Sequence, residues 1–112
     1  MPQSQQWHTV ARLDDLPPGG SFLVEFAGRD VALFREADGI YAIDDRCPHA
    51  GASLCGGPVE DGVVTCPWHS WSFRLSDGAW TGNPRIKTRT YAVRVVGADI
   101  QLADAAGAPT LP

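Results

Sequence analysis

Turn-forming residues recur along the whole chain at intervals too short for a long helix. The 112 residues include 12 glycines and 9 prolines, and Asp-Gly pairs stand at 38–39, 61–62 and 77–78. Such pairs favour two-residue β-hairpin turns. No stretch repeats its apolar residues with the 3.6-residue period of a helix. The pattern therefore predicts an all-β fold of short strands, either a sandwich or a partial barrel.

The apolar runs between the turns mark the expected strands. Strands are predicted at 7–13, 22–26, 31–35, 40–44, 62–66 and 71–75, and twice within 90–103 around a turn at 97–99. A turn-rich connection is predicted at 14–20, and tight turns at 28–30 and 38–39. The whole chain, 1–112, is interpreted as one domain. Its ordered part is expected at about 7–103, with a frayed tail of small residues and proline at 104–112.

Charge and hydropathy exclude two classes of partner. The formal net charge is −4, which gives no electrostatic reason to expect binding to nucleic acid or to an anionic membrane. No apolar run approaches the length of a membrane span, and the N-terminus lacks the features of a secretion signal. We therefore expect a cytoplasmic protein that contacts neither nucleic acid nor membrane. In such a reducing compartment, clustered cysteines and histidines favour a metal site.

Two short segments hold the clustered donors. Cys47 and His49 are separated by Pro48; sixteen residues later, Cys66 and His69 are separated by two residues. Each segment offers one thiolate and one imidazole beside a predicted strand end. A tetrahedral zinc site from the same four residues is one possibility, but zinc ligands are usually spaced by two to four residues, and one residue separates Cys47 from His49.

The two segments, CPH and CPWH, resemble the signature of the Rieske iron–sulfur family, C-x-H followed at a distance by C-x-x-H. The resemblance implies a Rieske-type [2Fe–2S] cluster with Cys47 and Cys66 on one iron and His49 and His69 on the other, outward-facing iron. It also implies stacked antiparallel sheets with a small cluster-binding lobe of two ligand loops. A third loop, containing a proline, covers the cluster in the family, and residues 82–86 would supply it.

Departures from one branch of the family indicate a low reduction potential. Rieske proteins of quinol-oxidising complexes carry a disulfide at positions that match Ala52 and Trp68. The same branch places hydroxyl groups against the cluster at positions that match Trp71 and Phe73. Hydrogen bonds to sulfur stabilise the reduced cluster, so their absence lowers the potential. The resemblance thus implies a potential near the bottom of the Rieske range, about −150 mV.

The function that the resemblance implies is one-electron transfer. A Rieske-type ferredoxin would pass electrons from a flavin-dependent NAD(P)H reductase to a terminal oxygenase of the ring-hydroxylating type. In that role the chain is a component of an oxidoreductase system rather than a catalyst. An oxygenase catalytic subunit would need a further domain with a mononuclear iron site, for which 112 residues leave no room.

Two other functions stay open at this point. The chain also resembles the small subunit of an assimilatory NAD(P)H nitrite reductase, whose partner would be the sirohaem-containing large subunit. If the donors hold zinc instead, the chain would be a zinc-stabilised binding module with no redox role.

Several residues near the ligands have a structural and a functional interpretation. Cys55 is interpreted as a small packing residue, and Trp71 and Trp80 as packing aromatics. Trp68 is interpreted either as packing or as part of a docking rim. The acidic pairs at 44–45 and 60–61 are interpreted as solvated turn residues, with attraction of a basic reductase surface as the alternative.

Overall fold

Eleven β-strands and one short 3₁₀ helix, Leu13–Asp15, form the regular structure of the described residues. The computed structural model describes residues 7–46, 53–66 and 71–104. The strands are β1 His8–Arg12, β2 Ser21–Phe26, β3 Arg29–Glu36, β4 Gly39–Asp44, β5 Val59–Glu60, β6 Val63–Thr65, β7 Ser72–Arg74, β8 Ala79–Trp80, β9 Asn83–Lys87, β10 Thr90–Val96 and β11 Asp99–Asp104. Among these residues there is no helix with the length and apolar character that a membrane crossing requires. The predicted all-β fold class is confirmed.

Six strands form the larger sheet, in the hydrogen-bonded order β1-β11-β10-β4-β3-β2. Every pairing between neighbours is antiparallel. The twist of the sheet brings its two edge strands together, so the ring of His8 on β1 lies 5.7 Å from the ring of Phe26 on β2. The larger sheet is therefore a nearly closed barrel, as the partial-barrel prediction requires.

The other five strands form a second antiparallel sheet, in the order β5-β6-β7-β8-β9. This sheet is inserted in the chain between β4 and β10, which are themselves neighbours in the larger sheet. The Asp44 N–H donates a hydrogen bond of 2.9 Å to the Arg89 carbonyl oxygen. The chain therefore leaves and re-enters the barrel at one place. We call residues 45–88, which contain both predicted ligand segments, the lobe.

Strand β3 joins two hydrophobic cores because it is buried on both faces. Side chains alternate across a strand, so Val31 and Leu33 pack inside the barrel while Ala32 and Phe34 pack beneath the lobe. The core beneath the lobe, called the seam, also contains Ile43, Leu54, Val64, Cys66, Phe73 and Leu75. Burial of each large apolar side chain contributes roughly 1.5–3 kcal/mol relative to exposure. The seam is what fixes the lobe on the barrel.

Two-residue turns join several of the strand pairs. Asp61 and Gly62 have φ angles of 54° and 76°, and Glu60 pairs directly with Val63. Both central residues are thus left-handed, as this hairpin turn requires. The β2–β3 turn uses Ala27 and Gly28, with φ angles of 54° and 79°. It lies one residue earlier than the predicted turn at 28–30, because the strand pairing continues to Phe26 and Arg29.

The segment predicted to supply a proline loop is a strand. Residues Asn83–Lys87 form β9, which pairs with β8 and lies at the edge of the smaller sheet. A proline lacks the N–H that a central strand needs, but an edge strand tolerates it. Pro84 is exposed at this edge. Of this strand, Asn83 and Lys87 pair with β8, and the register shifts between them. The covering loop at 82–86 therefore stays a prediction.

Candidate metal centre

One of the four predicted ligands, Cys66, lies within the described residues. Its side chain is 1% exposed and packs in the seam directly after β6. Cys47, His49 and His69 lie outside the described residues. Within the described part of the chain, no three His, Cys, Asp or Glu side chains gather around a common metal position. The site is therefore built up from the backbone that carries the two ligand segments.

The first ligand segment, 47–52, is closed at its base. Arg46 and Ser53, which flank it, form an isolated antiparallel bridge. One step farther out, the Leu54 N–H donates a hydrogen bond of 2.7 Å to the Asp45 carbonyl oxygen. The residues on either side of Cys47 and His49 are thus held as a pair.

The second ligand segment, 67–70, is closed in the same way. The Cys66 N–H donates a hydrogen bond of 2.6 Å to the Trp71 carbonyl oxygen. Below it, Thr65 and Ser72 pair across β6 and β7, and their hydroxyl oxygens lie 3.2 Å apart. The Cys66 thiol therefore sits at the root of the segment that carries His69.

A glycine brings the two bases together. A Cβ atom on Gly57 would lie 2.6 Å from the Thr65 carbonyl oxygen and 3.0 Å from the Leu54 carbonyl oxygen. The Thr65 N–H donates to the Pro58 carbonyl oxygen over 3.0 Å, which holds the two chains at this distance. The bases of the two segments therefore lie side by side, and the Cys66 thiol is buried at the base of the second. With Cys47, His49 and His69 in the adjoining segments, this donor set fits a two-thiolate, two-imidazole cluster.

Two residues that sequence reasoning missed hold the exit of the first segment. The Asp45 side chain is 5% exposed, and its Oδ1 accepts the Cys55 N–H over 2.8 Å. The Ser21 Oγ on β2 accepts the Gly56 N–H over 2.9 Å. An aspartate after a strand has the same local sequence whether it is solvated or buried, so only the long-range partners distinguish the two cases.

Stacked tryptophans support the second segment. The rings of Trp71 and Trp80 are parallel within 3°, with centroids 3.6 Å apart. A Cβ atom on Gly82 would lie 2.6 Å from the Trp80 ring, so the β8–β9 turn lies directly against that ring. Both tryptophans also pack against the seam. Their predicted packing role is confirmed, whereas Trp68 lies outside the described residues.

A family model described as the Rieske [2Fe–2S] domain matches residues 6–101. The chain belongs to this family. The predicted cofactor, a Rieske-type [2Fe–2S] cluster, is thereby confirmed. The family match also favours the cluster over the zinc site considered above. The ligand roles of Cys47, His49, Cys66 and His69 stay predictions.

Solved structures with the same fold are similar to almost the whole chain. The ferredoxin of carbazole 1,9a-dioxygenase from Nocardioides aromaticivorans is 34% identical, with a TM-score of 0.80 over 88% of this chain and 98% of that one. A Mycobacterium tuberculosis protein, described as the small subunit of an NADH-dependent nitrite reductase, is 33% identical. Its TM-score is 0.82 over 92% of this chain and 98% of that one.

Other Rieske relatives are longer. The 4beta-methylsterol monooxygenase of Methylococcus capsulatus is 37% identical over 125 aligned residues, which take in 95% of this chain and 34% of that protein. The chain therefore spans about a third of the length of this relative, and 18% of the length of the cholesterol 7-desaturase of Drosophila melanogaster.

Neither residue of the Asp44 and Asp45 pair is a solvated turn residue in this Rieske domain. Asp44 accepts two hydrogen bonds from the Arg29 guanidinium, of 3.2 and 2.5 Å, and a third of 2.5 Å from the Tyr91 hydroxyl. The hydrogen bonds and charge of Asp44 raise the pKa of Arg29. Burial, followed by the hydrogen bond to Asp44, raises the pKa of Tyr91. The interpretation of Asp44 and Asp45 as solvated turn residues is therefore wrong, whereas attraction of a reductase by this pair stays a prediction.

Cys55 lies at the exit of the first segment. Its side chain is half-buried against the seam, and its Sγ lies 3.7 Å from the Ser21 Oγ. This position agrees with its interpretation as a small packing residue.

Proposed function

We propose that this chain is a one-electron carrier, a Rieske-type ferredoxin that receives electrons from a flavin-dependent NAD(P)H reductase and delivers them to a terminal oxygenase of the ring-hydroxylating type. The observation that carries the proposal is its similarity to the carbazole 1,9a-dioxygenase ferredoxin, which covers nearly all of both chains. The similarity to the longer 4beta-methylsterol monooxygenase covers 34% of that protein. We further propose a cytoplasmic location, where flavin-dependent reductases and their NAD(P)H are found.

The proposed ligand roles divide the four donors between an inner and an outer iron. Cys66 is buried in the seam, so we assign it with Cys47 to the inner iron. His49 and His69 would bind the outer iron, and electrons would enter and leave at the edge that these imidazoles form. When bound, the cluster supplies a single one-electron site whose potential is raised by neutral imidazole ligands. The closed bases at Arg46 with Ser53 and at Cys66 with Trp71 would keep the donors in place.

The residues around Cys66 support a potential at the low end of the Rieske range. Trp71 stacks on Trp80, and Phe73 is fully buried in the seam. Neither side chain carries the hydroxyl group that the quinol-oxidising branch places at the matching position. Because a hydroxyl that donates to a cluster sulfur favours the reduced, more negative state, the lack of these two hydroxyls should lower the potential.

A second candidate function is the small subunit of an assimilatory nitrite reductase. The observation that favours it is the similarity to the Mycobacterium tuberculosis protein, whose TM-score and coverage equal or exceed those of the ferredoxin. The two functions require the same cluster and differ in the partner. A ferredoxin dissociates from its partners after each electron, whereas a subunit stays bound to a sirohaem-containing large subunit.

Purification under anaerobic conditions, followed by EPR of the dithionite-reduced protein, tests the cluster and its ligands. We expect a Rieske-type signal and a midpoint potential of about −150 mV. Cys66→Ser should abolish the signal, since a buried ligand is lost. Cys55→Ser is the matched control, a cysteine of the same lobe that should leave the signal unchanged. A Cys66→Ser protein with an intact cluster would refute the assignment.

Electron transfer is tested with surrogate partners from the carbazole 1,9a-dioxygenase system. The reductase and NADH should bleach the visible absorption of this protein, and the terminal oxygenase should then restore it. The ferredoxin of that system serves as positive control. Size-exclusion chromatography with a nitrite reductase large subunit separates the second candidate. Stable co-elution, together with no transfer to the oxygenase, would favour the subunit and reject the carrier.

A further inference from the structure

We propose that Asp45 and Ser21 are positioning residues that set the first ligand segment in register with the second. The inference rests on the proposed ligation by Cys47 and His49. It concerns the turn at 54–57, which forms the exit of the first segment and also its contact with β6.

Asp45 is fixed from three directions. Its N–H donates to the Asp30 carbonyl oxygen over 2.9 Å, at the start of β3. Its carbonyl oxygen accepts the Leu54 N–H, and its Oδ1 accepts the Cys55 N–H. A carboxylate that is 5% exposed cannot face a partner protein, so its role must lie in the contacts that it makes within the fold.

Ser21 continues this arrangement from another strand. Its Oγ accepts the Gly56 N–H over 2.9 Å from β2. Three consecutive N–H groups, those of Leu54, Cys55 and Gly56, are therefore satisfied by Asp45 and Ser21 rather than by a strand partner. The turn is thus attached to the barrel at two points, one on β2 and one just after β4.

The turn is also the surface through which the first segment meets the second. Gly57 closes the turn, donating to the Leu54 carbonyl oxygen over 2.9 Å, and abuts the Thr65 carbonyl oxygen. Thr65 immediately precedes Cys66. A displacement of residues 54–57 would therefore shift the segment of Cys47 and His49 relative to Cys66. Asp45 and Ser21 act on the cluster through this turn, not by touching it.

The test compares matched variants of the full chain, loaded with cluster under anaerobic conditions. Asp45→Leu and Ser21→Ala remove the acceptors, whereas Asp45→Asn and Ser21→Thr keep an oxygen in place. Asp77→Leu is the control in the same lobe, because the Asp77 Oδ1 also accepts a backbone N–H, that of Ala79 at 3.0 Å. The readouts are the rate at which a chelator bleaches the cluster absorption and the EPR line shape of the reduced protein.

We expect Ser21→Ala to lose the cluster about fivefold faster and Asp45→Leu about tenfold faster than the parent, the size that one net hydrogen bond predicts. Both should broaden the EPR line shape, since the ligands then adopt several arrangements. The Asn and Thr variants should stay within about twofold of the parent in both readouts. If the effect came from a general loss of packing, these conservative variants would not restore the parent behaviour.

Two results would overturn the inference. One is a parent-like rate and line shape in Asp45→Leu and Ser21→Ala; the other is an equal effect in Asp77→Leu, which would indicate general loss of lobe stability. If Asp45→Leu fails to fold, the comparison of Ser21→Ala with Ser21→Thr decides alone. A parent without a Rieske-type signal, or a Cys47→Ser variant that keeps it, would reject the proposed ligation and the inference together.

Discussion

Cys66 and Trp71 are joined across the second ligand segment by a backbone hydrogen bond of 2.6 Å. The ring of Trp71 is held in addition by its stack on Trp80. The residue that ends the segment is therefore fixed by its carbonyl oxygen and by its side chain at once. The stability of this part of the lobe should then depend on the Trp80 ring, which lies on β8, two strands away from β6.

Trp80→Ala removes one ring of that stack. We expect the free energy of unfolding to fall by about 2–4 kcal/mol, somewhat less than for a fully buried tryptophan, because Trp80 is half-buried. Urea unfolding followed by circular dichroism measures the change. Trp7→Ala is the control: that ring is also half-buried and packs under the Arg94 guanidinium on the barrel, a contact of about 0.5–1 kcal/mol. Equal losses in the two variants would contradict a special role for the stack.

Gly57→Ala places a methyl group where the bases of the two ligand segments touch. The new atom would lie 2.6 Å from a backbone carbonyl oxygen, so one of the two chains must move. We expect a loss of about 1–3 kcal/mol in unfolding free energy, and a fall in bound iron. Gly78→Ala meets the Thr88 carbonyl oxygen in the same lobe. It should destabilise the fold without a matching loss of iron; equal iron loss would show that Gly57 has no particular effect on the site.

Ala27→Asn should stabilise the protein. Ala27 occupies the left-handed region with φ of 54°, which costs an alanine about 1 kcal/mol and an asparagine less. We expect a gain of about 0.5–1 kcal/mol in thermal or urea unfolding. Ala37→Asn is the control, since Ala37 stands in the β3–β4 turn without a positive φ. A gain in both variants, or in neither, would argue against relief of backbone strain.

The raised pKa of Tyr91 predicts that the free energy of unfolding falls at alkaline pH. Its pKa in the folded state is raised above the ordinary value of 10.0, so the folded state keeps a proton that the unfolded chain has released. The contribution is fully present below about pH 10 and disappears as the pH rises through the folded pKa. Tyr91→Phe should flatten the unfolding free energy above about pH 10, where the parent loses this contribution. Tyr41→Phe, at an exposed hydroxyl that donates to Asp38, should change the profile less. Profiles that fall equally in all three proteins would exclude Tyr91 as the cause.

His69→Cys should lower the reduction potential of the cluster. A thiolate ligand adds negative charge, so the potential should move from about −150 mV toward the value of about −400 mV typical of plant-type ferredoxins. A spectroelectrochemical titration measures it. His8→Cys is the control, on an exposed barrel strand, and should leave the potential unchanged. An unchanged potential in His69→Cys with an intact cluster would remove His69 from the ligand set.

Local signals predicted most of the strands and turns. The Asp61–Gly62 pair specifies its turn because both central residues must adopt a left-handed backbone, and both do. The turn predicted at 38–39 lies one residue earlier, because Gly39 pairs with Glu36 across β3 and β4. The continuous apolar run of β3 indicates a strand buried on both faces. The β9 strand escaped prediction because a proline at a sheet edge is locally indistinguishable from a proline in a loop.

The contacts that shape the site escaped prediction because their partners are distant in sequence. Asp44 and Tyr91 are 47 positions apart, and Ser21 and Gly56 are 35 apart. A single sequence carries no signal for such pairs, so Asp44 and Asp45 were indistinguishable from solvated acids. The ligand motif, in contrast, is local within each segment. Its cysteine at position 66 lies in the buried place that a ligand needs, while the roles of Cys47, His49 and His69 stay predictions.

The lobe is attached to the barrel where the chain crosses from Asp44 and returns at Arg89, at two adjacent backbone groups. The described residues between these points contact the barrel through the seam, through the Asp45 N–H bond to Asp30 and through the Ser21 hydroxyl. An exchange of lobes between members of this family would therefore need to match one pair of chain ends, one apolar surface and these polar contacts. The grafted lobe would bring the reduction potential of its own cluster. The electron affinity of a carrier could thus be changed while its barrel stays the same.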